Sequence, residues 1–379
     1  MSSQSSAKEM FSFRKNYYEQ NSESNEHGSV KSNILQALLA TGAVMYGTKK
    51  YLKVQKAHCL VDDQKQVDES PEDVTNTVKK HNEADVVKAK FKGWKINLYQ
   101  YQTCPFCCKA RSFLQLHNIP FEMVEVHPIF KSEIKFSDYK KVPIITLEDP
   151  DGHVTQINDS SLIISALSSF IINDEASLAD TLEKYPWTVE IDDKGKEKKT
   201  IMNRHYVSTV RQDYAPEVES RIKEEAKWRA WVDDYLVHLI SPNVYRTMYE
   251  SYQAFDYHVS QGKFQGTWEG TVAKYGGAIA MYGVSKILKK RHELHDNVRL
   301  DLYKACNYWV SEIGKGNKFM GGDKPNLADV SVYGVLSVME NLAVWDDLIS
   351  HSKIKKWYYR TKKFVENHDG RNLFEDVDS

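Results

Sequence analysis

Three of the five cysteines in this 379-residue chain fall within five positions, in the segment TCPFCCKAR. A closed structural zinc site needs four ligands, usually supplied by two short-spaced pairs of Cys or His. The sequence offers one such pair, Cys104 and Cys107, and none of its 13 histidines forms a second pair with a cysteine. The spacing therefore favours a thiol site over a zinc site, and we predict no metal.

The C-x-x-C pair stands where a strand-like run ends and a helical pattern begins. Backbone N–H groups at a helix start point towards such a position, and their dipoles stabilise a thiolate. We therefore predict that Cys104 is the reactive thiol and that Cys107 is a resolving thiol facing the first helical turn. Cys108 is predicted to be a packing residue, while Lys109 and Arg111 are predicted to add positive potential beside the thiol.

An α/β domain over residues 93–172 is predicted to position this pair. The runs WKINLYQ, FEMVEV, KVPIITL and HVTQI have strand patterns, and CPFCCKARSFLQLHN has near-helical apolar spacing. NDSSLIISALSSFI begins with Asp and Ser, which are common helix N-caps. The predicted order is β-α-β-α-β-β-α.

The carboxyl half is predicted to be an all-helical domain over residues 223–379, after a connector or hairpin over residues 173–222. Apolar residues in EEAKWRAWVDDYLVHLI recur at the i, i+3, i+4 spacing of a buried helix face. Asn326 and Asp329 stand three positions apart before an apolar run, which predicts an N-cap with a reciprocal acidic partner.

The amino-terminal residues have three different characters. Residues 1–32 are rich in Ser, Asn and Glu and are predicted to be a disordered tail. Residues 33–48 carry no charge and would reach roughly 25 Å as a helix, just short of a hydrocarbon core of about 30 Å. They are predicted either to span a membrane, with the lysines that follow held on the cytosolic side, or to dock on its surface. Residues 49–92 are predicted to be a charged linker.

The composition excludes several classes of protein. Lys plus Arg (51) nearly cancels Asp plus Glu (52), so the chain has no global attraction for nucleic acid. A hydrophobic content of 41% suits a globular protein that folds in water and excludes a multi-span membrane protein. The sparse, odd number of cysteines favours a reducing compartment.

Five motifs carry a resemblance to a known family: YQTCPFC, IKFSDYKKVPI, NDSSLIISAL, KWRAWVDDYLVHLISPNVYRT and FMGGDKPNLADVSVYGVL. Together they resemble the membrane-associated prostaglandin E synthases over about residues 93–365. The resemblance implies a thioredoxin-like domain of the glutaredoxin type, followed by an all-α domain like that of glutathione transferases.

The resemblance also implies a glutathione site and names its residues. Val142, before a cis Pro143, would pair with glutathione as a short strand, and Phe106 would form an apolar wall beside the thiol. Asp159 and Ser160 would bind the γ-glutamyl end, although from sequence alone they can equally be plain helix caps.

Tyr101 matches a family tyrosine that donates its hydroxyl proton to the sulfur. From sequence alone it can equally be a core aromatic residue.

The implied activity is the isomerisation of prostaglandin H2, a lipid endoperoxide, to prostaglandin E2. The family implies a second chemistry in which glutathione sulfur ligates a haem iron and the complex degrades the endoperoxide. It further implies a Golgi membrane location with the catalytic domains facing the cytosol, a separable soluble form, and a homodimer.

Two other classes of function stay open on the sequence. In a glutaredoxin-type oxidoreductase, Cys104 would attack a mixed disulfide and Cys107 would resolve it. In a non-catalytic module, bound glutathione or haem would merely stabilise the fold.

Overall fold

The computed structural model of the protein describes residues 83–127, 130–173, 175–191, 195, 197–208, 215–261 and 268–369. The predicted tail (1–32), the predicted membrane segment (33–48) and most of the predicted linker lie outside these residues. Within the described ranges, no helix is both long and apolar enough to cross a membrane.

A four-stranded mixed sheet and two helices make up the first part of the fold. Its elements are β1 (Lys95–Gln100), α2 (Pro105–Leu116), β2 (Glu122–Glu125), β3 (Ile144–Glu148), β4 (Val154–Asn158) and α3 (Ser160–Ile172). The strand order is β2-β1-β3-β4, with β1 parallel to β2 and antiparallel to β3, and β3 antiparallel to β4. This βαβ unit followed by ββα is the predicted thioredoxin-like fold.

The prediction of a helix between β2 and β3 is wrong. Among the described residues of this connection there is a single 3-10 turn, Ser132–Ile134. Lys131, directly before the turn, has φ +47°, a left-handed conformation that a longer right-handed helix cannot contain.

A helix also lies where the sequence predicted only a charged linker. α1 (Glu83–Lys90) brings Val87 to the main core, and Phe91 directly follows the helix. The Phe91 ring lies 5.8 Å from that of Phe170 in α3. Two apolar residues four positions apart are enough to dock one helix face, but the charges around them hid this pair in the sequence.

The segment after α3 contains a short helix, α4 (Leu178–Glu183), and a hairpin. Strands β5 (Trp187–Ile191) and β6 (Glu197–Ile201) pair as a two-stranded sheet. Of the two alternatives predicted here, connector or hairpin, the structure shows the hairpin.

The carboxyl part of the fold is helical, as predicted. Its helices are α5 (Pro216–Trp231), α6 (Val237–Val244), α7 (Met248–Gln261), α8 (Trp268–Arg291), α9 (Val298–Glu312), α10 (Leu327–Ser337), α11 (Ala343–His351) and α12 (Ile354–Glu366). A π-helical turn, Val232–Leu236, joins α5 to α6.

The predicted cap of α10 is confirmed. The Asn326 side chain accepts hydrogen bonds from the backbone N–H groups of Ala328 and Asp329, and Asp329 accepts one from the Asn326 N–H at 3.1 Å. Asp329 is fully buried and also accepts a hydrogen bond from the Trp357 indole.

The thioredoxin-like and helical parts belong to one compact unit in which α2 packs against α10. The two helices approach so closely at Gly334 that a Cβ there would lie 2.5 Å from the Cα of Lys109. Because both parts share this unit, the predicted domain boundaries at residues 172 and 223 stay predictions.

Candidate thiol site

Cys104 lies at the N-cap of α2, with extended backbone angles and with Pro105 in the first helical position. Its N–H donates to the Tyr101 carbonyl at 3.1 Å, and its carbonyl accepts from the Cys108 N–H at 2.9 Å. A proline suits this position because its fixed φ is helical and its missing N–H would have had no intrahelical partner. The sulfur therefore stands at the positive end of the helix dipole, as predicted.

The two cysteines of the pair have opposite acidities. A hydrogen bond from the Cys107 thiol lowers the pKa of Cys104, and the backbone amides of Cys107 and Phe106 and the charge of Arg111 lower it further against the effect of burial. Burial raises the pKa of Cys107 well above its usual range, and the neighbouring Cys104 raises it further. These pKa shifts favour ionisation of Cys104 over ionisation of Cys107.

Arg111 is the cation that acts on the thiol site. Its guanidinium donates to the side chains of Gln100 (2.7 Å) and Gln102 (3.0 Å), and one nitrogen lies 3.0 Å from the sulfur of Cys108. Cys108 is buried, as predicted for a packing residue.

The prediction that Lys109 adds positive potential beside Cys104 is wrong. Lys109 is fully buried, forms an ion pair with Asp233 and donates to the Ser161 hydroxyl at 2.8 Å. Its charge is neutralised by a carboxylate from the helical part, so it contributes little field at the sulfur.

A small apolar cluster surrounds the thiols, which we call the thiol-side cluster. Its core residues and the partly buried residues packed on them are Cys107, Val126, Ile134, Val142, Ile144, Tyr99, Tyr101, Cys104 and Tyr139. Phe106 instead packs against the main core, and its ring centre lies 5.8 Å from the ammonium nitrogen of Lys109.

Two tyrosines of the thiol-side cluster keep their protons. Burial and then the charge of Cys104 raise the pKa of Tyr101, while burial and then Asp159 and the cysteines raise the pKa of Tyr139 to about 12. Within the described residues, neither hydroxyl forms a hydrogen bond with another side chain, so the predicted Tyr101 bond to sulfur is not formed here.

The peptide bond between Val142 and Pro143 is cis, as the resemblance implies. In the described part of the chain, neither the N–H nor the carbonyl of Val142 pairs with another backbone group outside the strands. Val142 lies two residues before the first residue of β3, so its backbone precedes the paired part of that strand, next to the thiols.

Asp159 caps α3 and also carries a charge that faces a cation. One carboxylate oxygen accepts from the N–H groups of Ser161 (2.8 Å) and Leu162 (3.2 Å), and the other lies 3.4 Å from the Arg204 guanidinium. Ser160 is buried at the first position of the helix. The cap alternative is therefore observed for Asp159, and the role of both residues in binding stays a prediction.

A buried polar network joins α2 and α3 to the helical part through Asp233. Its carboxylate accepts from the Ser161 hydroxyl at 2.6 Å, pairs with Lys109 and lies 3.0 Å from the His205 imidazole. Arg229 completes the network by donating to the backbone carbonyls of Ser161 (3.0 Å) and His205 (2.8 Å).

The charges in this network fix its protonation. Burial alone would raise the pKa of Asp233, but Lys109 and His205 hold it well below its usual range. Asp233 lies in the π-helical turn, a local feature that redirects side chains and is frequent at functional sites.

Comparisons with known proteins agree with this geometry. Residues 98–169 match the family model of the glutathione S-transferase N-terminal domain. Prostaglandin E synthase 2 of Danio rerio is 51% identical over 276 residues, which cover 72% of this chain and 72% of the relative, and that of Mus musculus is 50% identical over 276 residues, covering 72% and 71%. The chain belongs to the prostaglandin E synthase 2 family.

Likeness to solved structures is weaker. Glutaredoxin 2 from Salmonella typhimurium in complex with glutathione aligns at 15% identity, over 73% of this chain and 96% of that chain, with a TM-score of 0.32. This TM-score is too low to carry an argument, so the family assignment rests on the two prostaglandin E synthase 2 relatives.

Three site residues of this family member were missed in the sequence: Tyr139, Arg204 and Asp233. Tyr139 stands three positions before Val142 in the sequence, and this closeness to a predicted site residue could have identified it. Arg204 and Asp233 lie in a predicted connector and on a predicted apolar helix, so nothing local in the sequence linked them to residues 104 or 159.

Proposed function

We propose that the protein is a glutathione-dependent prostaglandin E synthase that isomerises prostaglandin H2 to prostaglandin E2. The observation that carries the proposal is the position of the Cys104 sulfur at the start of α2, where Cys107, the helix amides and Arg111 lower its pKa. Two relatives at about half identity carry the name prostaglandin E synthase 2, which supports the same activity here.

The residues around Cys104 fit glutathione. The backbone of Val142 is free to pair with a short extended ligand, and residues 98–169, which match a glutathione S-transferase domain, include Val142 and Asp159. Arg204 suits the γ-glutamyl carboxylate and Asp159 suits its ammonium group, since each would find an opposite charge. Bound glutathione would supply a second thiol beside Cys104.

The chain's own groups account for the isomerisation. The Cys104 thiolate attacks one oxygen of the endoperoxide, so that an S–O bond forms, the O–O bond breaks and the other oxygen leaves as an alkoxide that takes a proton. Loss of the proton on the carbon bearing the S–O group, which balances the proton taken up by the alkoxide, forms the C=O bond of the ketone, breaks the S–O bond and returns its electron pair to sulfur. Tyr101 packs on the same cluster as Cys104, and the protonated Tyr139 can donate a hydrogen bond to the alkoxide.

Glutaredoxin-type thiol exchange is the second candidate function. It is favoured by one observation, the packing of Cys104 on the cluster that contains Cys107, which places a resolving thiol next to the reactive one. Exchange would consume this thiol in a disulfide, whereas isomerisation leaves it unchanged.

The remaining implications of the resemblance stay predictions. We propose no step through haem, because the described contacts single out no group for a porphyrin. The non-catalytic alternative, the membrane segment at residues 33–48, the Golgi address and the homodimer also stay predictions.

The decisive test supplies purified full-length protein with two substrates in separate reactions. With prostaglandin H2 and glutathione we expect formation of prostaglandin E2. With a glutathionylated peptide we expect at most a slow release of glutathione from the peptide. Rapid release of glutathione from the peptide without any prostaglandin E2 would show that the protein is an exchange enzyme and not an isomerase. If neither product formed, the protein would be a non-catalytic binding module.

A further inference from the structure

Residues 130–141, FKSEIKFSDYKK, form a surface segment that we call the basic aromatic loop. It carries four lysines against two carboxylates, Glu133 and Asp138. Two aromatic side chains in it, Phe130 and Phe136, are 51% and 56% exposed. The segment therefore presents both apolar and basic side chains at its surface.

The basic aromatic loop is held in place by hydrogen bonds. Glu133 accepts from the His127 N–H at 2.8 Å, and Lys131 donates to the Lys140 carbonyl at 2.7 Å. Ser137 accepts from the Gln156 side chain at 2.8 Å, which ties the loop to β4. The two phenylalanines are therefore presented to solvent by a braced loop.

The charge of the basic aromatic loop is directed outwards. Lys135 and Lys141 are exposed, and within the described residues no lysine of the loop forms an ion pair with a carboxylate. The four lysines exceed Glu133 and Asp138 by two charges, so the loop surface is net positive.

The basic aromatic loop is also continuous with the thiol-side cluster. Ile134 is fully buried in that cluster together with Cys107, and the Phe136 ring lies 5.1 Å from that of Tyr99, which packs on the same cluster. A surface bound to this loop would therefore lie next to the thiols.

We propose that the basic aromatic loop docks on the surface of an anionic lipid bilayer. Aromatic rings insert at the level of the headgroups, and lysines beside them are attracted by anionic lipids, so the loop has both halves of an interfacial binding surface. This inference rests on the proposed function in one respect, since a lipid endoperoxide would then reach Cys104 from the bilayer. The docking does not depend on residues 33–48.

Hydrogen exchange of the full-length protein tests the proposal, because it reports on the loop separately from any amino-terminal anchor. The probes are vesicles of phosphatidylcholine alone and vesicles with about three tenths phosphatidylserine. We expect amides in residues 130–141 to exchange at least about threefold more slowly on the anionic vesicles, and to be unaffected by the neutral ones.

Two double variants should remove this protection: Phe130→Ser with Phe136→Ser, and Lys135→Glu with Lys141→Glu. Matched controls change exposed residues of the helical part, Tyr249→Ser with Ile279→Ser and Lys355→Glu with Lys356→Glu, and should retain it.

Unchanged exchange of the wild-type loop on anionic vesicles would overturn the proposal. So would protection that appears without vesicles and grows with protein concentration, because that result would make the loop a contact between copies. Turnover of dissolved prostaglandin H2 without vesicles is measured in parallel. If there were no turnover but the loop amides were still protected on anionic vesicles, the proposed function would be rejected and the docking proposal would remain.

Discussion

Asp159 contributes two separable properties to the site, a hydrogen-bond acceptor for the start of α3 and a negative charge beside Arg204. Asp159→Asn keeps an oxygen that can accept from Ser161 but removes the charge. We expect glutathione affinity, measured by calorimetry, to fall about tenfold, or roughly 1.4 kcal/mol, with little change in stability.

Asp159→Ala is the matched comparison, because it removes the cap as well. It should lose the same affinity and about 1 kcal/mol of unfolding free energy in addition. If the Asn variant bound glutathione as well as the wild type, Asp159 would be a helix cap and nothing more.

His117, at the end of α2, makes the stability of the fold sensitive to acid. Its ring is buried against Phe113, and burial lowers its pKa to about 3. The unfolded chain takes up a proton near pH 6.5 that the folded chain excludes, so stability present above pH 6.5 is lost as the pH falls towards 3. At pH 5 the loss from this residue is about 2 kcal/mol.

Urea denaturation at pH 7 and pH 5 measures this loss. A His117→Leu variant should lose about 2 kcal/mol less than the wild type between the two pH values. His153→Gln, which changes an exposed histidine, should follow the wild type. If the wild type and His117→Leu lost the same unfolding free energy between pH 7 and pH 5, His117 would not be the cause of the acid sensitivity.

At the scale of elements, the contact of α2 with α10 depends on one missing side chain. A Cβ at Gly334 would meet the backbone of Lys109 at 2.5 Å, and a backbone cannot rotate aside. Gly334→Ala should therefore destabilise the protein by about 1–3 kcal/mol in urea denaturation, although alanine is the better helix former.

Gly283→Ala is the control, because a Cβ at Gly283 in α8 meets nothing within 4 Å. That variant should gain up to about 1 kcal/mol from helix propensity alone. Equal gains in both variants would mean that α2 and α10 are not in close contact at Gly334.

The sequence predicted those elements whose signals are local. The strand at residues 95–100, the proline-led helix after Cys104 and the Asn326–Asp329 cap each follow from neighbouring residues, and the structure has all three. Val87 and Phe91 were missed because two apolar residues in a charged segment stand out only once Phe170 is known to meet them.

Long-range pairings account for the error at Lys109 and the missed pairing of Arg204. Lys109 was interpreted as a cation near the thiol because Asp233, 124 residues away, is not visible as its partner from the sequence. The pairing of Arg204 with Asp159 spans 45 residues in the same way. Electrostatics at the site depends on tertiary contacts, which local patterns do not encode.

At the scale of the whole molecule, Asp233 links the thiol helix to the helical part of the fold. Asp233→Asn would leave the ammonium group of Lys109 buried without a counter-charge, which costs about 3–5 kcal/mol. The variant should show that loss in urea denaturation. The exposed Asp346 in α11 is the control, and Asp346→Asn should change stability by no more than about 0.5 kcal/mol. Equal small changes in both variants would show that the buried pair is not needed.

The central claim is that one activated sulfur, Cys104, performs an isomerisation, and the most direct measurement is prostaglandin E2 formation from prostaglandin H2 by two serine variants. Cys104→Ser should lose at least about a hundredfold in rate because the nucleophile is gone. Cys107→Ser keeps a hydroxyl that can still donate to the Cys104 sulfur, so it should stay within about threefold of the wild type. Loss of prostaglandin E2 formation in Cys107→Ser to the level of Cys104→Ser would contradict the account, because it would show that the chemistry needs both thiols.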